Sequence, residues 1–392
     1  MSTCTYTTGG EWDNVVHNDE SAQAKADRLN NPTIDKSTQE LVQWIQDLYA
    51  SGAKLWTKEM LSNIEAQLAQ NPVPEAISIR SRTQVNGKNI VQLLPPSPPV
   101  TNSGGGEIPS VCSLTVHFEM YQMIIERAEQ SMLESNREHY SRFTPDEIRM
   151  LAAQGVRIYF ATFGKSSIEY SKVKPSWVQA RKNWLNSSLC RELSNILGST
   201  VSISNAVTKI VCFGLGSLAT SIENPTRMAD DGLPVHGPGT QHAAALTLAT
   251  VLGERFGKEP LHVMVQDPAY SEADKKILEE VGIEVIGGFG SLGFTHVDEE
   301  TIVFSCHPNI PVRQIVADIA KPAAMIWNKG RDSEEGAEYK VFERQGKEEL
   351  STPYSTDHDS ARTRKLLQDY DEFDFPNCYS RFGDLAIYVR KG

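Results

Sequence analysis

Residues Lys209 to Ser217 read Lys-Ile-Val-Cys-Phe-Gly-Leu-Gly-Ser. The unbroken apolar run Ile210–Phe213 predicts a strand buried on both faces, as in a parallel sheet. Gly214 and Gly216 then allow a tight turn and a close backbone approach to a ligand. A strand ending in Gly-x-Gly is the usual opening of a nucleotide-binding α/β domain. The third glycine of the dinucleotide fingerprint is missing; Thr220 and Ser221 follow instead. A polar insert, Ser221 to Gly239, also delays the next helix.

From this strand onward the pattern alternates. A helix is expected over Gln241–Phe256, with strands at Leu261–Val265, Ile283–Ile286, Thr301–Phe304 and Ala323–Trp327. Ser271 is the expected cap of the helix after the second strand. Asn328 to Asp357 reads as a charged, exposed excursion. A helix over Ala361–Tyr370 precedes a last strand, Leu385–Val389, the natural antiparallel edge. Such alternation predicts an α/β fold, a Rossmann-like, doubly wound, mostly parallel sheet.

The first half reads as a mixed α+β region. Residues 1–36 are polar and expected to lack order. Residues 37–94 suggest a helix capped by Ser37, another capped by Thr57, and two strands about Asn86-Gly87. Residues 95–109 form a Pro/Gly-rich linker. Residues 110–200 are mostly helical, with strands expected at Val111–Glu119 and Val156–Phe163, and lead into the core. They include a start at Thr144-Pro145 and a tryptophan and leucine stripe from Trp177 to Leu197 behind a Ser176 cap. Residues 201–392 make the Rossmann-like domain.

Composition narrows the function. A net charge of −12 argues against non-specific nucleic-acid binding, which needs cations to neutralise phosphates. Six scattered cysteines fit a reducing compartment, so the chain is expected in cytoplasm or nucleus. No apolar run is long enough to span a bilayer. No Cys-x-x-Cys, Walker A or Gly-x-Ser-x-Gly pattern is present.

In an open α/β sheet, ligands bind beyond the carboxyl ends of the strands. Gly214, Leu215, Gly216 and Ser217 are expected there, with Asp267-Pro268, the loose Gly287–Gly290 loop, and Cys306-His307-Pro308. Asp267 can accept ribose hydroxyls of an adenosine-containing ligand, or merely open a turn. Gln241 and His242 lie in a helix start that favours anions, or are ordinary first-turn polar residues. His307 is a candidate general base or ligand-orienting donor, or a satisfied structural group. Cys212 and Cys306 read as small core residues.

Together, Gly214-Leu215-Gly216-Ser217-Leu218, Gln241, Asp267-Pro268 with Ser271, and His307 resemble the SRR-like family, named after a plant protein, "sensitivity to red light reduced". The resemblance spans roughly Val201 to Trp327. Many plant and animal members carry Met-Pro-His-Cys where this chain has Ser305-Cys306-His307-Pro308, and the closer likeness is to divergent fungal-type members. The resemblance implies an intracellular regulatory protein, with roles in light signalling, clock function, haem biosynthesis or microtubule stability, through unspecified protein partners. It implies no established reaction. A fold-level likeness to class I methyltransferases keeps S-adenosylmethionine, or another adenosine-containing molecule, as the candidate cofactor.

Overall fold

In the computed structural model the described residues are 4–7, 21–30, 35–74, 76–79, 90–93, 110–131, 144–164, 166–223, 237–330, 338–344, 346–376 and 382–392. The 95–109 linker, the Asn86-Gly87 turn and most of the 221–239 insert lie outside them.

The stretch expected as a polar tail contributes strand β1 (Cys4–Thr7) and helix α1 (Ala22–Asn30). Helix α2 (Lys36–Ala50) is capped by Asp35 rather than Ser37; the Asp35 carboxylate accepts from Thr38 N–H at 2.8 Å. A charged acceptor at the helix start also complements the helix dipole. Helix α3 (Lys58–Leu68) starts at its expected cap, Thr57. Strands β2 (Ala76–Ile79) and β3 (Ile90–Leu93) pair antiparallel, and β1 lies parallel to β3. Strand β4 (Ser110–Phe118) leads into helix α4 (Tyr121–Ser131). Helix α5 (Pro145–Ala152) carries the expected Thr144 cap, completed by Glu147 as a reciprocal capping box. Strand β5 (Val156–Gly164) pairs antiparallel with β4 along its whole length.

The tryptophan and leucine stripe is two helices, not one. Helix α6 (Tyr170–Asn186) starts upstream of Ser176 and runs through Pro175, which has no N–H to donate to Ser171 O. Ser187 then adopts an extended conformation and caps helix α7 (Ser188–Asn195). A π turn over Ile196–Thr200 carries the chain past Gly198, the expected end. The break rotates the stripe: Leu189, Leu193 and Leu197 are buried, whereas Leu185 is exposed.

The second half follows the expected alternation. It runs β6 (Lys209–Phe213), α8 (Thr220–Glu223), α9 (Pro238–Phe256), β7 (His262–Gln266), α10 (Glu272–Glu280) and β8 (Ile283–Val285). It continues α11 (Leu292–Thr295), β9 (Thr301–Ser305), α12 (Val312–Ile319) and β10 (Ala324–Asn328). The expected excursion contains the exposed hairpin β11 (Lys340–Arg344) and β12 (Lys347–Ser351). Helix α13 (Ala361–Leu367), β13 (Tyr370–Asp374) and β14 (Leu385–Arg390) close the chain.

The seven-stranded sheet has the order β13-β14-β10-β9-β6-β7-β8. Strand β6 is interior and parallel to both neighbours, β7 and β9. Strand β14 is antiparallel, as expected, but it is not the edge. It lies between β10 and β13, and the edge is β13, a strand not expected from the sequence, which overlaps the expected helix only at Tyr370. The β13 sequence, Tyr-Asp-Glu-Phe-Asp, explains this: its exposed acids blunt an open sheet edge.

Side chains alternate across the sheet, as a period of two requires. Ile210, Cys212, Ile302, Phe304 and Ile326 point into one core, beneath α6, α7, α9 and α10. Val211, Phe213, Val303, Met325 and Trp327 point into the other. That second core is filled by Trp56, Leu61 and Ile64 from the α3 region and by Val116, Phe118 and Ile158 from β4–β5. The N-terminal elements therefore form one cover of the sheet.

Candidate functional site at the carboxyl edge of the sheet

The turn after β6 is held by its own chain. Gly214 and Gly216 both have positive φ, 68° and 76°. A Cβ on Gly214 would lie 3.0 Å from Pro308 Cα, and one on Gly216 3.1 Å from Pro238 Cγ. The close approach that these glycines permit is thus made by the loop after β9 and by the first turn of α9. Leu215 is buried beneath the turn. Ser217 Oγ donates to Asp274 Oδ2 at 2.8 Å, and the same oxygen accepts from Ser271 N–H and Oγ–H. The third fingerprint position is Ala219, fully buried, which the alanine form of the motif accommodates.

Asp267 bridges two loops. Its Oδ2 accepts from Gly216 N–H at 2.8 Å and its Oδ1 from Ala269 N–H at 2.9 Å. Burial pushes this carboxyl above its ordinary range, while those two N–H groups pull it back. Pro268 beside it is exposed. Gln241 and His242 are buried in the first turns of α9. His242 Nδ1–H donates to Pro238 O at 2.7 Å, and Nε2 accepts from Tyr270 O–H at 2.8 Å. Burial lowers His242 to about 4, so it is neutral at physiological pH.

The Gly287–Gly290 loop is occupied from within as well. The Glu65 carboxylate of α3 accepts from Phe289 N–H, Ser291 N–H and Ser291 O–H, at 2.9, 2.8 and 2.8 Å. Cys212 and Cys306 are fully buried, and burial drives both thiols up and keeps them protonated.

His307 differs from the rest. It is exposed, and at φ 48° it is the one non-glycine residue with positive φ among the described residues. Backbone strain of this kind costs of the order of 1–3 kcal/mol and persists only where surroundings enforce it. Asn328, at the end of β10, enforces it here. Its Oδ1 accepts from His307 N–H at 3.3 Å, and its Nδ2 donates to Nδ1 at 3.0 Å, which leaves the neutral ring's proton on Nε2. On its other side the ring abuts Gly383, where a Cβ would overlap it.

His307 and Asn328 stand at the mouth of a polar cleft of about 110 Å³ between the ends of β9 and β10. Lys329, Thr356, Asp357 and His358 continue its wall. Segment 355–360 is fastened by Thr356 Oγ–H to Pro308 O and by Arg313. Arg313 is buried; its N–H donates to Asp357 Oδ1 at 2.9 Å and its Nη1 to Asp359 Oδ1 at 2.7 Å. Burial raises Asp357 to about 6, although Arg313 pulls it down. The sequence reading missed Arg313, Asn328, Lys329 and Asp357–Asp359. Two signals were available. Asn328 is the polar residue that ends a buried strand, the same criterion that selects Asp267, and Asp357-His358-Asp359 is a dense run of titratable groups.

The fold and this edge define an α/β protein with a seven-stranded, mostly parallel sheet and a polar cleft beyond its carboxyl ends. The chain belongs to the SRR1 domain family, whose model matches residues 189–389. No curated protein and no solved structure matches it. Among the described residues no helix is long and apolar enough to cross a membrane.

Proposed function

We propose that this chain is a regulatory protein of the SRR1 family whose Rossmann-like domain binds a small, polar, nucleotide-like ligand beside His307. The observation that carries the reading is the left-handed His307, clamped by Asn328 at the mouth of the polar cleft. An enforced backbone outlier at a carboxyl strand end fits a ligand-orienting role. The Rossmann-like assignment rests on the order β8-β7-β6-β9-β10, which is 3-2-1-4-5 in doubly wound terms. At about 110 Å³ the cleft accommodates one end of a ligand, such as a phosphate or carboxylate, with the rest lying outside. Arg313 and Lys329 line the cleft already paired, Arg313 with Asp357 and Asp359 and Lys329 with Asp374 at 2.8 Å, so an anionic end of a ligand would exchange for these carboxylates.

The second reading is a methyltransferase-like enzyme that takes S-adenosylmethionine. The reversed β14 placed between β10 and β13 favours it, as a fold-level likeness only. Against it, Pro308 and Pro238 already take the close approach at the Gly-x-Gly turn. In a third reading, an interaction module with a vestigial pocket, that filled turn is the remnant.

Thermal-shift screening of the full chain against S-adenosylmethionine, S-adenosylhomocysteine, NAD, ATP and haem tests these readings. A ligand at about 100 times its dissociation constant stabilises by roughly 2.7 kcal/mol. The expected result is stabilisation by an adenosine-containing compound that Asn328→Ala diminishes. No shift with any compound, or an equal shift in Asn328→Ala, counts against ligand binding beside His307.

A further inference from the structure

Helix α6 carries Lys172, Lys174, Arg181 and Lys182 and no acid, in a chain whose net charge is −12. Its outer side forms one wall of a groove of about 390 Å³; α10 forms the other. The floor is apolar, from buried Trp177 and Ile277. Val178 and Leu185, on the α6 wall, are 54% and 53% exposed, the two most exposed large aliphatic side chains among the described residues. They are seven residues apart, about two helical turns, and so share one face. Arg181 and Lys182 lie between them on that face.

The cations differ in how they are used. Lys174 Nζ is paired with Glu280 at 2.9 Å, and Lys276 lies over the Tyr170 ring. The Arg181 and Lys182 side chains are both exposed, with no ion pair or hydrogen bond among the described residues. Two unspent cations therefore stand between two unspent apolar side chains, above a concave apolar floor. The overall negative charge disfavours an acidic partner over much of the chain, and this locally basic, apolar face offers one a place to dock.

We propose that the α6–α10 groove is a docking site for an acidic, amphipathic segment of a partner protein. Apolar side chains of that segment fill the groove over Trp177 and Ile277, and its carboxylates pair with Arg181 and Lys182. The groove is concave and takes side chains end-on, which a flat bilayer surface does not provide. The inference is independent of the cleft beside His307.

The test is to pan a displayed library of random peptides against the full chain, then to measure one enriched peptide by fluorescence anisotropy. Enriched sequences should combine Asp or Glu with Leu, Ile or Phe. Binding should weaken with salt and fall roughly tenfold or more in Arg181→Glu/Lys182→Glu and, separately, in Val178→Ser/Leu185→Ser. All four positions are exposed, so the variants should keep the wild-type melting temperature. A peptide with Lys in place of its acids should recover binding to the charge-reversed variant. Enrichment of neutral or basic peptides, no enrichment, or unchanged affinity in the variants overturns the proposal. So does sedimentation showing a dimer that Val178→Ser/Leu185→Ser dissolves, because a second copy then fills the groove.

Discussion

At the scale of single residues, two buried groups set opposing responses to acid. His242 titrates at about 4 in the folded chain and near 6.5 when unfolded. The unfolded state thus binds more protons between those values, and stability falls as pH drops through that window, by up to ~1.4 kcal/mol per unit. Asp357 titrates at about 6 when folded and near 3.9 when unfolded. Here the folded state binds more protons, so stability rises as pH falls from about 6 towards 4. The two slopes offset each other in the wild type. Asp357→Asn removes one of them, so its melting temperature should drop more steeply than the wild type's between about pH 6 and pH 4.5. Parallel melting curves across that range would contradict the opposed titrations.

Residue chemistry also shows what the sequence could and could not disclose. The Gly-x-Gly turn, the Ser271 cap and the strand-end position of His307 were legible, because each follows from local backbone preference. The occupants of the turn were not. Pro308 and Pro238 reach Gly214 and Gly216 from distant segments, and Glu65 reaches the 287–291 loop from 224 residues away. Nothing local records such contacts.

At the scale of elements, the antiparallel β4–β5 pair is pinned by Glu119. Burial opposes ionisation of this carboxylate, but Arg127, His117 and Arg157 outweigh it and hold the group well below the usual range. The Arg157 guanidinium donates directly to it, and Arg127 Nη1 lies 3.5 Å away. Glu119→Gln should destabilise the chain by about 3 kcal/mol, because it leaves two largely buried guanidinium groups short of a counter-charge. Chemical denaturation checks this; a loss under ~1 kcal/mol would mean that solvent already screens the pair. Elements were misread where a boundary depended on the partner strand. The alternation of β13 is short and acidic, and only its pairing with β14 separates it from the end of α13. The extended Ser187 is a similar case: it breaks a stripe whose periodicity reads as continuous.

At the scale of the whole molecule, the sheet has two cores, and one is closed by elements outside the family match. Trp56, Leu61 and Ile64 pack with Phe213, Phe294 and Val303 across that face. Residues 189–392 expressed alone should therefore expose an apolar face and aggregate or bind a hydrophobic dye, whereas the full chain should not. A monomeric, cooperatively melting fragment would show that the cover is dispensable. The parallel order was readable from strict alternation, but this cover was not. The N-terminal region carries no motif that ties it to the sheet.

The central claim, that a ligand binds beside His307 and not over the Gly-x-Gly turn, is tested most directly by calorimetric titration. The compound is the one that most stabilises the full chain, measured on wild type, His307→Gly and Asp267→Asn, with a melting curve for each. Glycine relieves the left-handed strain, so His307→Gly should hold its stability to within about 1 kcal/mol while affinity falls roughly tenfold or more. Asp267→Asn should keep its affinity and lose roughly 1–2 kcal/mol of stability, because its carboxylate serves Gly216 and Ala269. The reverse pattern, with affinity lost in Asp267→Asn and intact in His307→Gly, would place the ligand over the turn and contradict the account.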